Sequence, residues 1–293
     1  MTSQLRLKYP AINVDNAYGT TVTIPLKRSQ WVRRYVVTFV EGTLNGGTSP
    51  AWTISQSNPA FSNIQVQADN NTLYNLDTDV SQEMTKLTKA ISPNGLTHYV
   101  DMEDFDYSKK GTPIEGTQFP SFRFSQNNLL VAIPALSSLT SGGPTSTTGS
   151  QILVTEIDVS RSANAPAIQV RKLQRVANLN VNGENDLVNT LIPAGFVYKA
   201  LFFHDESNVS SQIKQVIDDR ITIYDEYVAQ LQSENTAEFG IAPDTGYFAK
   251  IFMRDASPSE LLDLTANNTS TISVQTTGTG LLKVAYVLYA GVY

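Results

Sequence analysis

The sequence predicts an all-β protein made of two tandem β-sandwich halves, each carrying one short amphipathic helix. Three observations lead to this prediction: many brief apolar segments, two patterns with helical spacing, and an internal repeat in unchanged order. The chain has 293 residues, of which 41% are hydrophobic. That length is enough for about two domains of ordinary size.

The apolar segments are short, rich in β-branched and aromatic residues, and separated by Gly, Pro, Asn and Ser. Such segments are typical of brief strands. The clearest are residues 22–26, 32–40, 64–68 and 152–159. Apolar and polar positions partly alternate in the second and fourth of these, which favours antiparallel strands with one buried face. The long polar stretches 42–58 and 137–150 exceed ordinary hairpin lengths, so we expect surface loops there.

Two segments instead show helical spacing. In residues 77–91 the apolar side chains recur every three or four positions, at Val80, Met84, Leu87 and Ile91. Asp77 or Asp79 would cap this helix and Pro93 would end it. In residues 224–235 the stripe consists of Tyr224, Tyr227, Val228 and Leu231. Each segment predicts one short amphipathic helix.

An internal repeat relates the two parts of the chain. The matched positions are Val32 with Val197, Asp69-Asn70 with Asp218-Asp219, His98 with Tyr247, Asn127-Asn128 with Asn267-Asn268, and Thr148-Gly149 with Thr277-Gly278. The matches occur in the same order in both parts, and the number of residues between the two members of a match falls along the chain. Two copies of one fold give this pattern when the first copy has longer loops. We therefore predict an N-terminal arm at 1–12, a first half at 13–163 and a second half at 164–293.

Composition and charge exclude several classes of function. Without cysteine, the chain has no disulfides, thiolate zinc sites or cysteine nucleophiles. The net charge of −6 disfavours a nucleic-acid binder. We expect no transmembrane helix, because the longest apolar runs are much shorter than the ~18 residues that span a bilayer. The N-terminus has Arg6 and Lys8 but no apolar region after them, so we expect no signal peptide.

The residues that could carry chemistry favour ordinary structural roles. His98 and His204 are the two histidines, and we expect His204 to be the polar end of a strand that enters a loop. The acidic residues Asp101, Glu103, Asp104 and Asp106 form one cluster, and Asp77 and Asp79 form another. Either cluster could offer oxygen ligands to Ca²⁺, but neither has EF-hand spacing. We therefore predict a solvated acidic loop and a helix cap, with no catalytic, cofactor-binding or metal residues.

Basic residues gather in both halves. The two groups are Arg28, Arg33 and Arg34 in the first half, and Arg171, Lys172 and Arg175 in the second. Their strand-like alternation favours a solvated face, or ion pairs with acids of a neighbouring subunit, over binding to phosphate.

About eight strands and one helix in each half fit an eight-stranded jelly roll. The order of elements adds to this: a strand ending in Asp-Asn or Asp-Asp, a helix, a strand led by Gly246, then residues 261–264 and two closing strands. This order resembles the double jelly-roll major capsid proteins of tailless icosahedral viruses, in particular those of lipid-containing bacteriophages such as corticoviruses. The resemblance extends from about Asn13 to Tyr293.

The resemblance implies a structural protein without cofactors, whose homotrimers look six-sided and tile a virion shell assembled in the host cytoplasm. It also implies that the N-terminal arm faces an internal membrane, packaged nucleic acid or minor capsid proteins, which would place Arg6 and Lys8 inward. The loops at 42–58 and 137–150 would face outward. Because jelly rolls serve many functions, a two-domain binding module of lectin-like or receptor-binding type is the alternative, and a glycan-processing enzyme is a third possibility.

Overall fold

In a computed structural model, which describes residues 4–28, 30–91, 94–109, 112–188, 190–253 and 257–292, the chain forms two similar halves. The main elements of the first half are β1 (Gln4–Lys8), β2 (Thr21–Pro25), β3 (Trp31–Val40), β4 (Asn63–Ala68), β5 (Asn71–Asp77), α1 (Thr78–Lys89), β6 (Thr97–Asp101), β7 (Asn127–Ala132) and β8 (Gln151–Val159). Those of the second half are β9 (Ile168–Leu179), β10 (Gly183–Val188), β11 (Val197–Asp205), β12 (Ser210–Ile217), β13 (Ile221–Tyr227), α2 (Val228–Phe239), β14 (Tyr247–Ile251), β15 (Ser270–Thr276) and β16 (Gly280–Val292). Several strands of two or three residues lie in the connections.

The strand order of the two halves is the same. In the first half, the order is β1-β8-β3-β6 in one sheet and β5-β4-β7-β2 in the other. In the second half, it is β9-β16-β11-β14 and β13-β12-β15-β10. Each strand of the first half therefore has an equivalent eight strands later. This is the jelly-roll order, so the predicted fold of two tandem eight-stranded jelly rolls, each with one amphipathic helix, is confirmed. The first half also contains a four-residue helix, Leu136–Leu139.

The repeat extends to single residues. A bulge leaves Arg33 without a partner in the pairing of β3 with β8, and the equivalent bulge leaves Lys199 without one in the pairing of β11 with β16. The turn after β4 begins at Asp69 and the turn after β12 at Asp218, and both residues have positive φ. Each aspartate accepts two backbone N–H bonds from the loop that precedes the seventh strand of its half.

Most of the matched positions in the sequence prediction need correction. The aspartate turn is matched correctly. The strand pairings, with their bulges, make Val32 equivalent to Tyr198 rather than Val197, and His98 equivalent to Phe248 rather than Tyr247. Asn127 corresponds to Ser270, the first residue of β15. Side chains alternate between faces with a period of two, so a slip of one residue exchanges buried and exposed positions without disturbing the pattern.

The predicted first helix agrees with α1, which begins after Asp77 and ends at Ala90 in the left-handed conformation. The second helix begins four residues later than predicted. Tyr224 and Tyr227 belong to β13, where they pair with β12. The prediction was wrong there because these two aromatic residues at the end of a strand are spaced like one turn of a helical stripe.

The two long loops of the first half pair with each other. Thr43–Asn45 pairs with Ser146–Thr148, and Ala51–Trp52 pairs with Thr140–Ser141. Gly142 has positive φ, and a Cβ there would lie 2.5 Å from the carbonyl oxygen of Thr48. Only glycine allows so close an approach. The predicted surface loops therefore form one paired structure.

Both halves run in the same direction. Strand β9 lies parallel to β5, with Lys172 opposite Tyr74, so the second sheet of the first half continues into the first sheet of the second half. Strand β1 pairs with the end of β8, and the start of β9 pairs with the end of β16. We call this common end the terminal end, and the opposite end, which carries the paired loops, the loop end.

The predicted arm at 1–12 is already part of this architecture. Gln4–Lys8 is an edge strand, paired with β8, and residues 1–3 lie outside the described residues. No helix in the described part of the chain combines the length and apolarity needed to cross a bilayer.

Candidate functional site: the seam between the halves

The two halves meet along a buried contact that we call the seam. One side consists of β5, α1, β6 and residues 102–107 of the first half. The other side is the outer face of the sheet β9-β16-β11-β14. Apolar residues of the second half join the core of the first: Val170, Ala200, Phe202, Phe239, Ala249, Ala285 and Val287. The ring of Tyr107 packs edge-on against Phe202 and Phe239, with centroid distances of 6.3 and 6.1 Å. The hydrophobic effect therefore stabilises the seam as it does a domain core.

The parallel pairing of β5 with β9 is reinforced by one side chain. Gln174 donates from Nε2 to the carboxylate of Asp77 at 2.9 Å, and its Oε1 accepts the backbone N–H of Asp77 at 3.0 Å. Asp77 also precedes α1 as its N-cap residue. The start of the helix is thereby attached to the second half.

At the centre of the seam lies a buried ion pair. Lys199 Nζ is 2.8 Å from Asp104 Oδ2, and neither side chain is exposed. Lys199 also donates to the carbonyl of Phe105, and the hydroxyl of Tyr289 donates to Asp104 at 2.5 Å. Burial lowers the pKa of Lys199, but the negative charge of Asp104 opposes this shift. Removing either charge would leave the other buried without compensation.

The acidic cluster predicted as a solvated loop is instead buried, and that prediction was wrong. Asp101 binds Arg34 at 2.5 Å and also pairs with Lys89. Burial raises the pKa of Asp101, but the positive charges of Lys89, Arg34 and Lys172 outweigh this and hold it at about 2. The sequence could not show this, because the partners come from other strands and from α1.

The basic groups are also placed differently from the prediction. Arg33 binds Glu103 of its own chain at 2.9 Å, rather than an acid of a neighbouring subunit. Lys172 donates to the backbone carbonyls of Asp101 and Glu103, at 3.0 and 2.8 Å. Arg28 and Arg175 donate to backbone carbonyls near the surface, and Arg171 donates to Gln169.

Towards the loop end, Lys283 binds three carboxylates. Its Nζ lies 3.0 Å from Asp77, 3.1 Å from Asp79 and 2.7 Å from Glu206. Burial lowers the pKa of Lys283, but the three carboxylates outweigh this and raise it above its usual range. Asp77 and Asp79, the two acids considered as calcium ligands, are therefore paired with the ammonium group of Lys283 from the second half.

His204 completes this group. It is the penultimate residue of β11, as predicted for the polar end of a strand, and its Nδ1 lies 3.0 Å from Asp79. Its ring stacks on Tyr247 at a centroid distance of 3.9 Å. One ligand atom each from Asp79, His204 and Glu206 could lie around one ion, but Lys283 binds two of these three residues. The arrangement fits an ion-pair network across the seam.

Two carboxylates, Glu83 and Asp244, join α1 to the loop after α2. Glu83 accepts the backbone N–H of Asp244 at 2.9 Å, and Lys86 binds Asp244 at 2.6 Å and Glu83 at 3.4 Å. Gln56 donates to Asp244 at 3.1 Å. Burial raises the pKa of Glu83 to about 7, although the N–H of Asp244 and the charge of Lys86 oppose this. Burial also raises the pKa of Asp244, but the bond from Lys86 outweighs this and keeps it below its usual range.

His98 lies inside the first half rather than at a surface site. One ring nitrogen is 2.9 Å from the hydroxyl of Ser81. Burial lowers the pKa of His98 to about 4, so the ring is neutral at physiological pH. His98 therefore has a structural role inside the first half, and His204 packs on Tyr247 beside Asp79.

Sequence reasoning missed the residues that carry most of the seam, namely Lys199, Lys283, Glu83 and Asp244. One signal was available for Lys199, because it interrupts the apolar run at residues 196–203. A lysine at such a position is rarely buried unless paired. For the other three no local pattern separates a buried partner from a surface charge.

Comparison with known proteins supports the fold at the level of structure. No protein-family model matches the chain, and neither does the sequence of any curated protein. Among solved structures, the major capsid protein P2 of bacteriophage PM2 is similar with a TM-score of 0.70 and 14% identity, covering 100% of this chain and 98% of that one. The major capsid protein of STIV is similar with a TM-score of 0.69 and 15% identity, covering 99% of this chain and 96% of that one.

The major capsid protein of Faustovirus is similar too, with a TM-score of 0.66, 7% identity and coverage of 99% and 90%. Identities this low show a common fold, and the coverage shows that it includes both halves. The chain therefore has the double jelly-roll fold, and it shares this fold with the three proteins.

Proposed function

We propose that this chain is a structural major capsid protein whose homotrimers tile an icosahedral virion shell. The observation that carries the proposal is the duplication itself: two equivalent jelly rolls, fixed side by side and pointing the same way. Three copies of such a chain present six equivalent lobes, which suits hexagonal tiling. The likeness to viral capsid proteins along nearly the whole chain supports this choice among the functions a jelly roll can serve.

The seam supports a shell role in a further way. A tile must keep its two lobes in a fixed relation while neighbours are added. An apolar core continuous between the halves, with charges paired across it, gives the chain that rigidity. We keep the boundaries at 13–163 and 164–293 as the proposed domains, with 1–12 as the N-terminal segment, whose described part is paired in the first sheet.

The proposal places the protein in the virion, assembled in the host cytoplasm, with other copies as its main partners. The paired loops at the loop end would face outward. The terminal end would face inward, where the N-terminal segment could meet an internal membrane or minor capsid proteins. The starts of β1 and β9 and the ends of β8 and β16 all lie at the terminal end, which supports this orientation.

No observation favours the binding-module alternative or a glycan-processing enzyme. A binding module would present an acidic or aromatic cluster in an open groove. The acidic cluster of this chain is instead buried in the seam and paired with lysine and arginine.

The mass of the purified full-length protein, measured by light scattering, tests the proposal. A trimer that forms hexagonal plates in electron micrographs at high concentration is the expected result. A persistent monomer, with glycan affinity in place of ordered arrays, would overturn it in favour of the binding module.

A further inference from the structure

Three asparagines of the chain are followed directly by glycine, namely Asn45, Asn94 and Asn182. Asparagine is chemically labile at such a position, because the backbone nitrogen of the next residue can attack the side-chain amide carbon and glycine has no Cβ to hinder the approach. The attack requires the side chain to turn and the following peptide to rotate. The contacts of each asparagine therefore decide which of the three can react in the folded chain.

Asn45 is held by both its side chain and its backbone. Its Nδ2 donates to Thr148 Oγ1 at 2.9 Å, and its carbonyl oxygen accepts the N–H of Thr145 at 2.9 Å. It lies in the paired loops, opposite Ser146. Both hydrogen bonds have to break before the reaction, because the rotation that brings the nitrogen of Gly46 towards the side chain also turns the carbonyl of Asn45.

Asn94 is exposed, but its side chain is tied to the residues that follow it. Its Oδ1 accepts the N–H of Leu96 at 3.1 Å and the N–H of Thr97 at 2.8 Å. The next residue, Gly95, is buried, and a Cβ there would lie 2.2 Å from the carbonyl oxygen of Ser55. Two hydrogen bonds and a tightly packed peptide therefore oppose the reaction at Asn94.

Asn182 has neither kind of restraint on its side chain. It is exposed in the turn between β9 and β10, and no hydrogen bond to another described residue holds its amide. Gly183, the first residue of β10, has a φ of 130° and open space where a Cβ would lie. The turn belongs to the loop end, because Leu179 at the end of β9 pairs with Gly280 at the start of β16.

We propose that Asn182 is a deamidation site, at which the loop end gains negative charge with time. The nitrogen of Gly183 bonds to the side-chain carbon of Asn182, ammonia leaves, and a five-membered succinimide ring results. Water then opens the ring at either carbonyl, which leaves an aspartate or an isoaspartate at position 182. The net change is the loss of ammonia and the gain of water, and a neutral amide becomes a carboxylate.

The residues around the turn should report the change. Asn185 Oδ1 accepts the N–H of Asn180 at 2.9 Å and of Val181 at 3.2 Å, and its Nδ2 donates to the carbonyls of Val181 and Gly183 at 3.0 and 3.3 Å. An isoaspartate adds a methylene to the main chain between positions 182 and 183, which moves the carbonyl of Gly183 away from Asn185. We therefore expect the amides of Asn180 and Val181 to exchange faster with solvent in the converted protein.

The contacts also set the expected order of the rates. A hydrogen bond that has to break before the reaction slows it about fivefold. Asn45 and Asn94 each have to break two, so we expect Asn182 to react about tenfold or more faster than either of them.

Incubation of the full-length protein in mildly alkaline buffer, followed by peptide mass spectrometry, measures the three rates in one sample. We expect the peptide with Asn182 to show the mass change first, together with isoaspartate detected by enzymatic methyl transfer. Asn182→Gln is the matched control and should abolish the early change, because the larger ring that glutamine would form closes slowly. Equal rates at the three positions, or an earlier change at Asn45 or Asn94, would overturn the inference.

A second variant tests whether contacts or local sequence select the site. Thr148→Val removes the acceptor of the Asn45 amide, and should speed the reaction at Asn45 about fivefold while leaving that at Asn182 unchanged. In urea, where these contacts are lost, the three asparagines should react at similar rates. An unchanged rate at Asn45 in Thr148→Val, or an order of rates that persists in urea, would contradict the selection of Asn182 by the fold.

Discussion

Helices α1 and α2 occupy the same place in two copies of one fold, yet they are built for different surroundings. Helix α1 carries Asp79, Glu83 and Lys86, all of which contact the second half. At the equivalents of the first two, α2 carries Ala229 and Ser233, which are exposed. The comparison teaches that the environment of a repeated element decides its polar residues, while its apolar inward side preserves the fold.

The largest effect should come from the buried ion pair at the seam. Lys199→Met leaves Asp104 buried without its cation and should lower the free energy of unfolding by about 3–5 kcal/mol. The equivalent substitution, Arg33→Met, should cost about 1–2 kcal/mol, because Glu103 keeps a hydrogen bond from Gln118. Denaturant unfolding of both variants measures the difference.

A double variant sharpens this prediction. Lys199→Met with Asp104→Leu removes both charges and should recover most of the lost stability. Equal costs for Lys199→Met and Arg33→Met would contradict the distinction between the buried and the partly exposed position.

Lys283 should have an effect on stability that depends on salt concentration. Lys283→Met leaves Asp77, Asp79 and Glu206 close together without their cation, and should lower the free energy of unfolding by about 1–2 kcal/mol at low salt. The loss should shrink as ionic strength rises, because these carboxylates are partly exposed. The matched control is Leu153→Met, because Leu153 occupies on β8 the position that Lys283 occupies on β16. This variant should change the free energy of unfolding by less than about 0.5 kcal/mol at any salt concentration.

Glu83 should give an effect on stability that depends on pH. Its pKa is raised to about 7, so its folded-state carboxyl stays protonated at a pH where the unfolded chain has lost the proton. The resulting stabilisation is present in acid and is lost as the pH rises through about 7. Glu83→Gln should therefore gain on wild type by about 2–3 kcal/mol between about pH 5 and pH 8.

Thermal or denaturant unfolding at several pH values measures this gain. Ser233→Ala, the equivalent change in α2, should differ from wild type by the same amount at every pH. A wild-type protein and a Glu83→Gln variant with parallel pH profiles would show that Glu83 ionises normally in the folded chain.

The smallest expected effect is that of calcium. Since Asp101 pairs with Arg34 and Lys89, and Asp79 pairs with Lys283, about 5 mM Ca²⁺ should leave the melting temperature unchanged. Asp101→Asn should lower the melting temperature equally with and without calcium. A calcium-dependent rise that Asp101→Asn abolishes would instead establish a calcium site.

Local pattern was sufficient for the elements that obey it. Strands 32–40 and 152–159 were predicted within one residue of β3 and β8, and the first helix within two residues of α1. The aspartate turns were matched correctly because a short acidic side chain both tolerates positive φ and accepts N–H bonds nearby. The start of α2 was missed because β13 ends in residues that also fit a helical stripe.

The sequence by itself determined that the chain is all-β, that it contains two copies of one jelly roll, and where most strands and α1 lie. These properties follow from the spacing of apolar residues, which is two in strands and three to four in helices and can be read directly from the sequence. Only the tertiary structure decided that the acids at 101–106 are buried, that α2 is left uncovered, and that two lysines pair across the seam, Lys199 with Asp104 and Lys283 with Asp77 and Asp79. Such partners are distant in sequence, and a charged side chain has the same local pattern whether water or another half of the molecule surrounds it.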